Sequence, residues 1–176
     1  ATKETGSRNA AGIFIMHYQE ENIHSQALGK WMQVASYGQG GLPVLAFPTQ
    51  NSMCENYEDF GMVRELSGWI DAGRIQLFTP DTVDSESWSD EQGDKAWRAD
   101  RQEQYYHFIT DELVPWMKEF NPEVPVTSGC SMGANHALLT FLRRPDLFQG
   151  CIALSGVYRT SFFFGDWMDA NLYNND

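Results

Sequence analysis

The stretch Val126–Leu142 reads Val-Thr-Ser-Gly-Cys-Ser-Met-Gly-Ala-Asn-His-Ala-Leu-Leu-Thr-Phe-Leu. It contains Gly-Cys-Ser-Met-Gly at 129–133, a pentapeptide of the form G-x-S-x-G. The segment before it, Val124–Ser128, is short and β-prone. After it, apolar residues recur at helical spacing and would form one face of a helix: Ala134, Ala137, Leu138, Phe141 and Leu142. The pattern predicts that Ser131 lies on a sharp turn between a strand and a helix.

A turn of this kind lifts the serine side chain off the end of a sheet and places it at a helix N-terminus. Gly129 and Gly133 lack a Cβ, which lets strand and helix approach closely around a strained residue. The next backbone N–H, that of Met132, can then face a developing oxyanion. Ser131 is therefore a candidate nucleophile and Met132 a candidate oxyanion donor. The alternative is a structural turn with an incidental serine.

Length, composition and charge indicate how many domains the chain has and which partners are disfavoured. The chain has 176 residues, 42% of them apolar, which predicts a single domain over 1–176 with residues 1–11 as a flexible polar tail. Its formal net charge of −12 argues against nucleic acid and anionic membranes as partners. No apolar run reaches membrane-spanning length.

The three cysteines, Cys54, Cys130 and Cys151, do not suggest a disulfide framework. They favour a reducing compartment, hence the cytoplasm, or a secreted location if a signal peptide was removed. The sequence contains no phosphate loop, zinc-type Cys/His spacing or dinucleotide fingerprint. We therefore expect neither a metal nor a cofactor.

Strand and helix patterns alternate along the chain, which predicts an α/β fold with a mainly parallel sheet. Candidate strands are Ile13–Tyr18, Trp31–Tyr37, Leu42–Phe47, Ile75–Phe78, Val124–Ser128 and Cys151–Ser155. Candidate helices are Tyr57–Ile70, Ala96–Phe120 and the segment from the pentapeptide to Arg144. Leu42–Phe47 is apolar throughout, as expected of a strand buried on both faces. Gly156–Asp176 is expected to be irregular.

Two of these helices have predicted buried stripes. In the first, the stripe comprises Phe60, Val63, Leu66 and Ile70. In the second, it comprises Tyr105, Phe108, Ile109, Leu113, Trp116, Met117 and Phe120. Pro115 is expected to kink the second helix.

Four segments together resemble the esterase branch of the α/β-hydrolases, which includes S-formylglutathione hydrolases, feruloyl esterases, enterochelin esterases and mycolyltransferase antigens. The segments are Pro43–Thr49, Asp81–Trp88, the pentapeptide with Ala134, and Arg144–Phe148 running into Leu154-Ser155-Gly156. The resemblance implies a three-layer α/β-hydrolase sandwich. It also implies hydrolysis of a small-molecule carboxylic ester through an acyl-serine intermediate, without a cofactor.

The same resemblance suggests roles for individual residues. Ser131 would be the nucleophile, and Gln50 or Thr49 would donate the second oxyanion N–H. The loop Asp81–Trp88 would border the substrate pocket. Within it, Asp84 and Glu86 are candidates for binding a substrate hydroxyl or ammonium group. Trp88, together with Trp167 and Phe162–Phe164, would line an acyl or aromatic pocket, or else belong to the core or a lid.

The acidic residues of 81–94 could also suggest a metal site. Their spacing does not fit an EF-hand, which needs glycine at its sixth position and glutamate at its twelfth. A solvated acidic loop is the preferred interpretation.

The chain departs from the family at its acid and base. In this fold the triad runs serine, then Asp or Glu, then histidine. His136 is the only histidine after Ser131, and five residues into the turn and helix it should project away from the serine hydroxyl. Asp166 and Asp169 come too soon to be the acid. We therefore expect the acid and base to lie beyond this chain, in a C-terminal segment or a second chain, and the fold here to lack its C-terminal strands and helix. The alternatives are an acyltransferase of the same fold and a non-catalytic binding domain.

Overall fold

Six strands form a single sheet in the computed structural model, which describes residues 16–176. The strands are β1 (Tyr18–Ser25), β2 (Lys30–Tyr37), β3 (Leu42–Phe47), β4 (Ile75–Pro80), β5 (Val126–Cys130) and β6 (Gly150–Leu154). Their order across the sheet is β1-β2-β4-β3-β5-β6. The pairs β4–β3, β3–β5 and β5–β6 are parallel, whereas β1–β2 and β2–β4 are antiparallel. The predicted α/β class with a mainly parallel sheet is confirmed.

The helices lie between and after these strands. They are α1 (Asn56–Asp59), α2 (Met62–Asp71), α3 (Lys95–His107), α4 (Val114–Phe120), α5 (Met132–Arg143), α6 (Ser161–Phe164) and α7 (Ala170–Tyr173). A short 3₁₀ turn covers Asp84–Glu86, and a π-helical segment, Phe108–Leu113, joins α3 to α4. No helix among residues 16–176 is long and apolar enough to cross a membrane.

Helices cover both faces of the sheet, which gives the three layers. On β3, Leu45 and Phe47 pack against α3–α5, while Val44 and Ala46 pack against α1 and α2. This alternation follows from the two-residue period of a strand. Because all four side chains are buried, the prediction of a doubly buried strand at 42–47 is confirmed.

The first strand differs from its prediction at the residues that the structure describes. Positions 13–15 of the predicted Ile13–Tyr18 strand lie outside the described residues, and Met16 and His17 are not in a strand. The observed β1 begins where the prediction ends, at Tyr18, and pairs antiparallel with β2. Its sequence, YQEENIHS, is polar because one side of this edge strand faces water.

The predicted helix Tyr57–Ile70 is broken into α1 and α2 at Gly61. This glycine has φ = 77°, a left-handed value that ends α1 and precedes the first turn of α2. Phe60 was expected in the buried stripe but is 74% exposed, because the break turns it outward. Val63 and Ile70 are buried as predicted.

The predicted long helix Ala96–Phe120 is helical throughout, but it is π-helical rather than α-helical over Phe108–Leu113, just before Pro115. Proline lacks an N–H, and its ring collides with the carbonyl four residues earlier, here that of Asp111. The π-helical segment Phe108–Leu113 accommodates this by widening the helix just before the proline. Most of the expected stripe is buried, but Trp116 is half-buried and Phe120 is 49% exposed.

The segment Gly156–Asp176, expected to be irregular, contains α6 and α7 and is tied to α3. Lys95 Nζ donates to the Phe164 carbonyl at 2.8 Å, and Arg98 Nη2 donates to the Phe163 carbonyl at 3.3 Å. These bonds hold an aromatic segment beside the N-terminal part of α5.

Candidate active site

Ser131 occupies the turn between β5 and α5, as the pentapeptide predicted. It has φ = 57° and ψ = −122°, which a residue other than glycine rarely adopts, and it directly precedes the first residue of α5. Its backbone N–H donates to the Leu154 carbonyl of β6 at 2.9 Å. The predicted strained geometry at a strand tip is therefore confirmed.

The two glycines of the pentapeptide allow this turn for steric reasons. A Cβ on Gly129 would lie 2.0 Å from the Gly133 carbonyl oxygen. A Cβ on Gly133 would lie 2.3 Å from the Phe47 oxygen and 2.4 Å from the Pro48 oxygen. All three distances are far below any allowed contact, so the strand, the helix and the loop after β3 meet only because these side chains are absent.

The loop after β3 lies at the same end of the parallel strands as Ser131, the end where the strands finish. β3 and β5 are adjacent and parallel, and Phe47 pairs with Gly129 at the end of their ladder. The Thr49 N–H donates to Asn56 Oδ1 at 3.0 Å, and the Asn51 N–H donates to Asp84 Oδ2 at 3.1 Å. Within the part of the chain that the structure describes, the Gln50 N–H between them has no hydrogen-bond acceptor. Of the two expected donors, Thr49 is thus already committed.

Side chains of the loop 81–88 form hydrogen bonds with the loop after β3. Asp81 Oδ1 accepts the Cys54 N–H at 3.1 Å, and its Oδ2 accepts the Gln33 N–H at 3.0 Å. Thr82 Oγ1 donates to the Ser52 carbonyl at 2.9 Å. Backbone groups that no sheet ladder can satisfy are thereby paired.

This arrangement corrects the expectation of a solvated acidic loop. Asp81 is 9% exposed and Asp84 is 0% exposed. Asp94, by contrast, accepts the Trp97 N–H and caps α3. The first part of the acidic segment is structural and buried, because its carboxylates accept hydrogen bonds from backbone N–H groups rather than from water.

His136 lies inside the molecule and faces Asp84. It is 2% exposed, and its Nε2 is 2.9 Å from Asp84 Oδ1. A carboxylate oxygen accepts hydrogen bonds, so this contact is a hydrogen bond in the imidazole tautomer that carries its proton on Nε2. The Nε2 atom is thus engaged on the side of the 81–88 loop.

Two expected substrate contacts do not agree with the observed burial. Asp84 has no exposed surface, and Trp88 is 1% exposed with its Nε1 donating to Gln102 Oε1 at 2.8 Å. Trp88 packs against Phe163 and Phe164, at 5.3 and 5.8 Å between ring centroids. Of the two roles considered for Trp88, the geometry supports the core.

Glu86 is partly exposed, with 34% of its side chain accessible. It contacts Lys30 Nζ at 2.5 Å and Arg101 Nε at 2.7 Å. Burial opposes its ionisation, but the hydrogen bonds from these two cations outweigh burial and lower the Glu86 pKa.

One cluster could in principle ligate a cation. Ligand atoms of Cys54, Glu55 and Asp81 lie within 4.8 Å of one another. However, both Asp81 oxygens already accept backbone N–H groups, and burial raises the Cys54 pKa well above its usual range. A thiol that holds its proton and a committed carboxylate are poor ligands.

A cleft of about 320 Å³ lies at the opposite end of the parallel strands, lined by Gly38–Gly40, Ile70 and Asp71 among others. Because Gly38–Gly40 precedes β3 while Ser131 follows β5, this cleft is separate from the serine.

Sequence reasoning did not identify the roles of the side chains that hold the site. Asn56 binds the Thr49 N–H, and Asp84 joins Asn51 to His136. Asp84 and His136 are 52 residues apart, so no local spacing links them. The only local signal was an acidic residue in a loop next to an apolar strand.

A strand-to-helix turn carrying a strained serine, on a mostly parallel sheet with helices on both faces, defines an α/β-hydrolase fold. A family model described as "Putative esterase" matches residues 25–174, and the chain belongs to this esterase family. No curated protein matches the chain.

Solved structures similar to this chain agree on the fold. An S-formylglutathione hydrolase from Agrobacterium tumefaciens has a TM-score of 0.67 at 19% identity, with 88% of this chain and 62% of that chain covered. MPT51 from Mycobacterium tuberculosis has a TM-score of 0.62 at 21% identity, covering 85% and 54%. A ferulic acid esterase from Anaeromyces mucronatus has a TM-score of 0.60 at 12% identity, covering 81% and 60%. The present chain thus matches only part of each of these structures.

Proposed function

We propose that the protein is a serine esterase that hydrolyses a small-molecule carboxylic ester through an acyl-serine intermediate. Ser131 attacks the ester carbonyl, the alcohol leaves, and water then releases the acid from the serine. The main support is the Ser131 backbone conformation, φ = 57° and ψ = −122° at the tip of β5. Strain of this kind persists only where the surroundings enforce it, and it is concentrated at active sites.

The oxyanion formed in this reaction would be held by the N–H groups of Met132 and Gln50. Met132 is the first residue of α5, where N–H groups have no partner within the helix. Gln50 is preferred to Thr49 because the Thr49 N–H is committed to Asn56. Loss of one oxyanion donor costs on the order of 10²–10³ in kcat.

The base and acid of the triad are proposed to lie outside residues 1–176. His136 is engaged by Asp84, and His107 contacts Asp111 at 2.8 Å on the exposed side of α3. His17 and His24 precede Ser131, contrary to the usual chain order for this fold. The three similar structures extend well beyond the matched part, with coverage of 54–62%. A C-terminal segment or a second chain alongside β6 would supply both groups.

The same acyl-serine could be discharged by an alcohol instead of water. This acyltransferase alternative shares every residue assigned above, so an acceptor experiment must separate the two. Glu86 remains a candidate for the pocket rim because it alone of the expected contacts in 81–88 keeps substantial exposure.

The test uses the full-length protein and a fluorophosphonate probe, which labels activated serines covalently. We expect labelling and hydrolysis of a chromogenic acetate by the wild type, and neither by Ser131→Ala. The matched control is Ser155→Ala, since Ser155 also has a left-handed φ, 54°, at the end of the adjacent strand. Labelling that survives Ser131→Ala, or no labelling of the wild type, would contradict the proposal. Product analysis with an added alcohol distinguishes transfer from hydrolysis.

A further inference from the structure

Two ionisable side chains are buried together near the elbow, as we call the turn between β5 and α5 at Ser131, and the chemistry proposed above uses neither of them. Asp84 is 0% exposed and His136 is 2% exposed, with 2.9 Å between Oδ1 and Nε2. Burying such groups is unfavourable unless each finds a partner. Here each partner belongs to a different part of the site, Asp84 to the loop after β4 and His136 to α5.

The second oxygen of Asp84 reaches the loop that contains Gln50. Asp84 Oδ2 accepts the N–H of Asn51, the next residue, at 3.1 Å. Asn51 has φ = 60°, one of three left-handed non-glycine residues among those described. Left-handed backbone is less unfavourable for asparagine than for most residues other than glycine, but it still benefits from external support. The hydrogen bond from Asn51 to Asp84 provides such support directly after the candidate oxyanion donor.

Regular secondary structure cannot set the position of Gln50. The β3–β5 ladder ends at the pair Phe47–Gly129, so the chain beyond Phe47 leaves the sheet before it reaches Gln50. From there its path depends on one turn, in which the Ser52 N–H donates to the Thr49 carbonyl at 3.0 Å, and on side-chain bonds to Thr49 and Asn51. The Asp84–His136 pair connects that path to α5, whose first residue supplies the other donor, Met132.

Aromatic rings hold His136 in place. Its ring lies 5.8 Å from that of Phe47 and 5.2 Å from that of Tyr105, measured between centroids. Tyr105 is itself fixed, because its hydroxyl donates to the Asp81 carbonyl at 3.0 Å. The imidazole is therefore confined between the last residue of β3 and the long helix, with Nε2 directed at Asp84.

We propose that Asp84 and His136 form a positioning pair that sets the distance between the two halves of the oxyanion hole. The pair acts through Asn51 and α5 and does not touch the substrate. This inference rests on the proposed esterase function. It predicts that disrupting the pair lowers kcat while KM changes little, because the oxyanion forms only after the substrate has bound.

The experiment measures kcat, KM and amide hydrogen exchange in the full-length protein. Asp84→Ala removes both bonds, and we expect kcat to fall about 10- to 100-fold with KM within about twofold of wild type. Asp84→Asn keeps one carbonyl oxygen as an acceptor, so its kcat should fall less than that of Asp84→Ala. His136→Gln retains an N–H donor and should keep more activity than His136→Ala. The exchange rate at the Asn51 amide should rise in both alanine variants.

Glu112→Gln is the control, because Glu112 Oε1 likewise accepts backbone N–H groups of a loop, those of Gln26 and Ala27, far from the elbow. It should leave both kcat and Asn51 exchange unchanged. Unaltered Asn51 exchange in Asp84→Ala and Asp84→Asn would overturn the pair as a support of the loop. Raised exchange with unchanged Ser131-dependent kcat would overturn its role in catalysis. If the wild type shows no Ser131-dependent activity, the esterase proposal fails, and the exchange data still show whether the pair holds the loop.

Discussion

The two edges of the sheet are built from different residues. On β1 the exposed side chains are polar, Asn22 and His24, and the strand is closed into a hairpin with β2. On β6 the exposed side chains are Ile152 and Leu154, at 54% and 48% exposure. Polar edge strands discourage further pairing, whereas an apolar edge is a site of pairing or aggregation.

The difference also extends across the face of the sheet. Ile152 and Leu154 pair in register with Ser128 and Cys130 of β5, and Cys130 is exposed as well. On the same face, the cluster formed with α1 and α2 includes Val126 of β5 but no described residue of β6. Among residues 16–176, the comparison teaches that β1 is a polar edge and that β6, next to the candidate nucleophile, has an apolar surface suited to burial.

The largest expected effect concerns catalysis at the β6 side. We expect residues 1–176 alone to hydrolyse a chromogenic acetate at least about 10⁴-fold more slowly than a longer protein that continues past β6, because a serine without its base is a poor nucleophile. Ser131→Ala in both proteins gives the background. Equal turnover by the two proteins would show that the base lies within residues 1–176.

The second prediction compares the stability cost of adding a methyl group in the sheet interior with the cost at its edge. Gly129→Ala should lower the free energy of unfolding by about 3 kcal/mol or more, since its Cβ would lie 2.0 Å from the Gly133 oxygen. Gly150→Ala in β6 should change it by less than about 1 kcal/mol, since the nearest atom, Val126 Cγ1, is 3.6 Å away. Urea denaturation measures both. Equal losses would mean that the close approach at the elbow can relax.

A charge placed on each edge tests the comparison directly. In the longer protein, Ile152→Lys should lower the free energy of unfolding by about 2–3 kcal/mol, because a covered edge would bury the ammonium. Asn22→Lys on β1 should change it by less than about 0.5 kcal/mol. Both are followed by urea denaturation. If the two lysines have the same small effect, β6 is a solvent-exposed edge like β1.

The smallest effect concerns how α5, which covers the inner side of β6, is held. Arg143 near its end donates to both Glu103 oxygens, at 2.9 and 2.6 Å, and Asn175 donates to Oε2 at 3.0 Å. Burial opposes ionisation of Glu103, but the Arg143 hydrogen bonds outweigh it and lower its pKa below 4.5. A lowered pKa stabilises the fold above the unfolded-state value and loses that stabilisation as pH falls through the folded-state value.

Glu103→Gln should therefore reduce stability by about 1–2 kcal/mol at neutral pH and make it less dependent on pH below about 4.5. Urea midpoints between neutral pH and the acid limb check this. Asp146→Asn serves as the control, because the Asp146–Arg144 pair is at the surface and should matter little. An acid limb in Glu103→Gln as steep as in the wild type would contradict the assignment.

The parts of the fold that follow local rules were predictable. The unbroken apolar run Leu42–Phe47 predicts a buried strand, and the pentapeptide 129–133 predicts the turn at Ser131. Each signal is contained in a few consecutive residues, where steric limits of the backbone decide the outcome.

The parts that failed depend on distant partners or on single residues. β1 is too polar to be recognised without knowing that β2 pairs with it. The helix break at Gly61 reflects a backbone choice that apolar spacing does not encode. The burial of Asp84 needed both Asn51 and His136, which only the folded chain brings together. Asp84, expected to contact a substrate at the pocket surface, was for this reason assigned to the wrong environment.

The side-chain bonds between the loops after β3 and β4 have a practical consequence for protein engineering. Asp81, Thr82 and Asp84 bind backbone groups of Cys54, Ser52 and Asn51, so neither loop keeps its shape without the other. The loops 49–54 and 81–88 therefore form one structural unit. A chimera that exchanges the 49–54 loop for that of another esterase must import the partner 81–88 loop with it, even though only the 49–54 loop contains Gln50, one of the two proposed oxyanion donors.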